Sequence, residues 1–105
     1  MSQFVMVYLG GDKPSSPEAG KQHFAEYMQW IKSLGNAAVS PMNPLKSTVM
    51  IDSDGTVSQG GSTTMSGYTI VEAESMEAAL EMAKTCPFLK INGQLEVSEL
   101  VVMPG

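Results

Sequence analysis

One histidine, His23, and one cysteine, Cys86, stand in a chain of 105 residues whose six basic side chains are all lysine. Imidazole is the side-chain type that changes charge between pH 5 and 8, so proton-transfer chemistry falls first to His23. On a helical wheel His23, Tyr27 and Trp30 fall at i, i+4 and i+7, along one border of an apolar stripe. A titratable ring, a phenol and an indole side by side make one wall of an aromatic, partly polar pocket. The competing reading is a half-exposed surface histidine between Gln22 and Phe24. Tyr8 closes a first apolar strand and Tyr68 sits on a later one. At neighbouring sheet positions their hydroxyls would orient a ligand, or else lie at the rim of the core. Asn43 has an amide that could donate to a substrate oxygen, or could serve the turn beside Pro44.

Other chemistries are excluded or lose their usual tools. A lone cysteine forms no intrachain disulfide and no two-cysteine zinc knuckle. With one histidine and one cysteine far apart, no metal site within one subunit and no cofactor is expected. No nucleophile, base and orienting group can be assembled for triad hydrolysis. Asp52-Ser53-Asp54-Gly55 begins like a calcium loop but lacks the later ligands and the closing glutamate, and reads as a hairpin turn. Gly60-Gly61-Ser62-Thr63-Thr64 is followed by neither a lysine nor a helix start, so it is no phosphate cradle. A formal charge of −5 and a pI near 4.6 argue against a nucleic-acid partner or an anionic membrane surface. The opening MSQFVMVYLGG reads as a strand rather than a secretory leader. No apolar run approaches the roughly 20 residues of a membrane helix, and a cytoplasmic location is the expectation.

These residues need elements to position them. Residues 3–9 alternate Phe4, Met6 and Tyr8 against Val5, Val7 and Leu9, a strand apolar on both faces. A helix start follows, with Ser15 and Glu18 as a capping box or Ser16 as the cap with Pro17 at the first helical position. Phe24, Tyr27, Met28, Ile31 and Leu34 form its apolar stripe, and Gly35 ends it. Pro41 and Pro44 make 37–50 an irregular strand or two short pieces. Residues 48–58 read as strand, turn, strand, and 68–72 as a further strand. Ser75 caps a second helix with Met76, Ala79, Leu80 and Ala83 inward, ending before Pro87. Residues 95–102 are the last strand. Most of the nine methionines, among them Met6, Met28 and Met76, fall in core phase.

The order β-α-β-β-α-β, with a small central hairpin, predicts an α+β fold. It is the ferredoxin-like sandwich, one domain over residues 1–105, with both helices on one face of an antiparallel sheet. The other face, expected to carry Met or Tyr from the first strand and Val or Leu from the last, would lie in water. A patch of several hundred Å2 is unusual on a soluble monomer, so a second copy packed sheet to sheet is predicted.

FVMVYLGGD, Trp30-Ile31-Lys32-Ser33-Leu34-Gly35, Ser66-Gly67-Tyr68-Thr69-Ile70-Val71-Glu72-Ala73, SMEAALEMAKTCP and GQLEVSELV occur in an order and spacing that resemble the YCII-related, or DGPF-domain, family. That family belongs to the dimeric α+β barrel superfamily. Gln59-Gly60-Gly61-Ser62 stands where the DGPF signature would be, with one glycine kept. The resemblance implies the fold, the dimer and a ligand-sized cleft. From relatives it also implies an acid/base role for His23 with an aspartate, of which Asp12 is the nearest. Three functions follow: a cofactor-free enzyme moving a proton on a small organic molecule, a non-catalytic ligand-binding or regulatory homodimer, and a structural protein with a filled cleft. A titratable group facing an open cavity favours the first.

Overall fold

Side-chain parity along the strands and the caps of the two helices set the architecture, which the computed structural model describes for residues 1–103. Strand β1 (Ser2–Gly10) leads into helix α1 (Pro17–Leu34), and then come β2 (Ala38–Pro44), β3 (Val49–Ile51), β4 (Val57–Gln59) and β5 (Met65–Ala73). Helix α2 (Met76–Ala83) and β6 (Gly93–Glu99) complete the order. Ser16, not Ser15, caps α1: its hydroxyl accepts from the Ala19 N–H at 3.1 Å, and Pro17 takes the position that needs no donor. Ser75 caps α2 on the Ala78 N–H at 3.2 Å.

The main sheet runs β2-β5-β1-β6, every neighbouring pair antiparallel. This is the ferredoxin-like α+β arrangement. Strand β2 occupies an edge, which is where a strand tolerates Pro41 and Pro44, and its register slips on either side of Ser40.

Phe4, Met6 and Tyr8 pair across to Val71, Thr69 and Gly67, and this face is buried. Trp30 from α1, Ala79 and Ala83 from α2, and Cys86 close the core over it. Leu95 and Val97, opposite Tyr8 and Met6, pack against the same core. The expected open face is therefore corrected. Met6, Tyr8 and the apolar residues of the last strand lie under the helices. The outer face presents Val5, Val7 and Leu9 with Tyr68 and Ile70, and Ser98 and Glu96 stand opposite Val5 and Val7. Parity decides this, because α2 packs on β1, β5 and β6 from the side that Phe4, Met6 and Tyr8 occupy.

Three further departures have local causes. Phe24 and Met28 of the α1 stripe stay largely exposed, since the core contacts come from Tyr27, Trp30, Ile31 and Leu34. Leu80 is likewise exposed, while Ala79 and Ala83 let α2 approach the sheet. β6 stops at Glu99: Leu100 donates to the Gln3 carbonyl at 2.8 Å, and Val101 and Val102 run on in the open. Of the methionines cited for core phase, only Met6 is fully buried. The β3–β4 hairpin forms as expected and projects from the body. With it the molecule is a slab of 45 × 44 × 18 Å with a radius of gyration of 15.3 Å. A compact chain of this length has about 13 Å.

Burial pushes the Cys86 thiol up from 9.0 to about 11, partly offset by the Phe88 backbone N–H and by Tyr8. Above pH 9 the unfolded chain gives up this proton while the folded chain keeps it. The contribution is thus whole below pH 9 and lost as pH rises towards 11. The urea midpoint is expected to start falling near pH 9, and in Cys86→Ala only near pH 10, where phenols begin to ionise.

Candidate functional site

A cleft of about 360 Å3 opens between the first half of α1 and the neighbouring ends of β1, β2 and β5. Helix α1 contributes Gly20, His23, Phe24 and Tyr27, the i, i+3, i+4, i+7 set that shares one face. β1 contributes Tyr8, β5 contributes Ser66 and Gly67, and Phe88 closes one side beside Tyr8, with ring centroids 5.1 Å apart. The irregular end of β2 supplies Met42, Asn43 and Pro44. Gly67 is required there: a Cβ would sit 2.9 Å from the Asn43 carbonyl oxygen and 3.3 Å from the Pro44 Cα. Backbone cannot retreat as a side-chain tip can, so a larger residue would push β2 away from β5.

Four oxygen atoms knot the strands and helix together at the base of this site. Tyr27 and Thr69 donate to the Pro41 carbonyl at 2.8 and 2.7 Å. Tyr8 Oη lies 2.7 Å from Tyr27 Oη and also bonds Thr69 Oγ1. Burial drives the Tyr8 phenol far above its ordinary range, against the opposing pull of the Thr69 hydrogen bond. Tyr8 therefore works as a neutral hydroxyl, neither base nor nucleophile. Asn43 spans the edge: its amide donates to the Tyr68 carbonyl at 3.1 Å and to the Ser40 carbonyl at 3.0 Å.

The structure brings together four of the seven residues singled out from the sequence. His23, Tyr8, Tyr27 and Asn43 line the cleft. Trp30 lies outside it, buried between the helices with Nε1 donating to the Met82 carbonyl at 3.0 Å. Tyr68 pairs with Val7, and Tyr8 with Gly67, so the two tyrosines fall on opposite faces. A one-residue difference in register separates them. Asp12 is taken by Asn92, whose Nδ2 donates to Oδ2 at 2.5 Å, and it lies outside the lining. Among the described residues no carboxylate contacts His23. Phe24, Met42, Phe88 and Thr69 complete the site and were missed as site residues. Phe24 carried a usable signal, because it shares the His23 face one turn before Tyr27. Phe88 and Thr69 are brought in by tertiary packing alone.

No group of three or more histidine, cysteine, aspartate or glutamate side chains that could hold a metal ion occurs among the described residues. No described helix is long and apolar enough to cross a membrane.

No protein-family model and no curated protein matches the chain. A solved structure does: 5-chloro-2-hydroxyhydroquinone dehydrochlorinase (TftG) from Burkholderia phenoliruptrix AC1100, in complex with 2,5-dihydroxybenzoquinone. It is 18% identical, covers 90% of each chain and superposes with a TM-score of 0.54. At that identity the likeness speaks for the fold alone.

Proposed function

We propose that this protein is a small, cofactor-free enzyme, a single YCII-like domain of the cytoplasm, that transfers a proton on a small organic molecule. His23 is its acid/base group. The observation that carries this reading is an imidazole on the wall of an open apolar cleft, with hydroxyls at its base. The other two ionisable side chains of the lining, Tyr8 and Tyr27, have their hydroxyls bonded to one another, and Tyr27 donates to the Pro41 carbonyl. The volume suits one substituted ring rather than a polymer or a dinucleotide. The fold neighbour supports the ligand class, since it is crystallised with a dihydroxyquinone.

Ring C–H exchange of phloroglucinol, a neutral hydroxylated ring, in D2O, followed by proton NMR, tests the reading. The protein is expected to accelerate exchange, and His23→Asn to slow it by about 10²–10⁴-fold, the usual worth of a positioned acid or base. Unaccelerated exchange, or an unaffected His23→Asn variant, would remove the catalytic role. One observation favours a second reading, a non-catalytic ligand-binding homodimer: Asp12 is engaged with Asn92, leaving His23 without an orienting carboxylate.

The same proposal includes a homodimer. Val5, Val7, Leu9, Tyr68 and Ile70 form an apolar outer sheet face, and a second copy laid on it would complete a dimeric α+β barrel. Light scattering behind size exclusion is expected to give twice 11.2 kDa at micromolar concentration. A clean monomer would sink this part while leaving the cleft reading intact.

A further inference from the structure

Taking the cleft as the ligand site proposed above, the protons at its base can be counted. Tyr8, Tyr27 and Thr69 have one hydroxyl proton each, and the Pro41 carbonyl has none. Pro41 oxygen is reached by Tyr27 and Thr69, and Tyr8 lies against both of those hydroxyls. Any arrangement that satisfies the three hydroxyl protons within this cluster leaves none to offer outwards. Lone pairs, by contrast, remain in excess on every hydroxyl oxygen.

Asn43 is polarised the same way. Its amide nitrogen reaches the Tyr68 and Ser40 carbonyls and also Ser40 Oγ at 3.0 Å, so both amide protons are engaged within the protein. The carbonyl end Oδ1 receives only the Ser40 hydroxyl, at a long 3.3 Å. Donors with free protons, His23 and Ser66, belong to the surrounding lining, and none of the lining residues is a lysine. The cleft therefore offers an apolar box whose fixed polar groups accept.

We infer that the cleft selects a neutral aromatic ligand that enters as a hydrogen-bond donor: a phenol or hydroxylated ring, hydroxyl towards Tyr8, Tyr27 and Asn43. A carbonyl, ether or carboxylate oxygen turned towards the base, away from His23 and Ser66, meets hydroxyls whose protons are already engaged. It loses its water without replacement, which disfavours binding.

Ligand-observed NMR titration of the intact protein tests this with hydroquinone, the similarly sized 1,4-difluorobenzene, 1,4-dimethoxybenzene and benzoate. Hydroquinone is expected to bind at least about tenfold more tightly than each of the other three, the effect of one or two donated hydrogen bonds. Tyr8→Phe, which removes one acceptor and keeps the ring, is expected to narrow that preference several-fold. Equal affinity for hydroquinone and 1,4-difluorobenzene, or a preference for benzoate, would overturn the donor rule while the cleft stands as a ligand site. Binding of none of these rings would overturn both.

Discussion

Trp30→Ala is expected to lower the free energy of unfolding by about 3–5 kcal/mol, the range for deleting a buried tryptophan. A domain of this size has about 5–15 kcal/mol in total, so the variant sits close to unfolding at 37 °C. Trp30 is the element that fastens α1 to α2. Its ring is buried, lies tilted against Tyr27 with centroids 5.7 Å apart, and its Nε1–H reaches the Met82 carbonyl and Thr85 Oγ1 at 3.0 and 3.1 Å. Small residues on α2, Ala79 and Ala83, leave room for it and cannot fill the void it would leave. Trp30→Phe is expected to cost clearly less, because Thr85 Oγ1 still donates to the Met82 carbonyl at 2.9 Å and no buried acceptor is stranded. Urea unfolding followed by circular dichroism reads both, since the only tryptophan is lost. Equal costs for the two variants would mean that the hydrogen bonds, and not the ring, hold the helices together.

The position of Trp30 also shows where sequence reasoning reaches and where it stops. The helix and its cap were legible because Pro17, the 3.6-residue stripe and Gly35 act locally. The faces of β1 were legible because alternation is a period of two. Which of those faces the helices cover was not, since both are apolar and the choice is made by tertiary packing of the helices on the sheet. The wheel placed His23, Tyr27 and Trp30 on one border, yet seven residues, about 10 Å of helix rise, separate a wall from a bundle seam: His23 faces β2 while Trp30 faces α2. Tyr68 failed through register, which a slip of one residue inverts. Thr69, the centre of the hydroxyl cluster, reads in sequence as an ordinary strand threonine. Its partners are 28, 42 and 61 residues away along the chain, and nothing short of the folded sheet assembles them.

That cluster is expected to show strong non-additivity. In Tyr27→Phe, Thr69 still donates to the Pro41 carbonyl and Tyr8 donates to Thr69, so no group is stranded. In Thr69→Val, Tyr27 serves Pro41 and Tyr8 donates to Tyr27. Each single change therefore forgoes roughly one net hydrogen bond, about 1 kcal/mol. The double variant removes both donors from the Pro41 oxygen and both acceptors from the Tyr8 hydroxyl at once. Two polar groups then lose their partners, and the cost is expected to exceed the sum of the singles by about 1–3 kcal/mol. Urea unfolding of the wild type, both singles and the double closes the cycle, with unchanged m-values as the check that the folded state is the same. Additivity within about 0.5 kcal/mol would show that water already serves the base of the cleft. The oxygens there would then be solvated acceptors, and the selection of a donating ring would lose its physical basis.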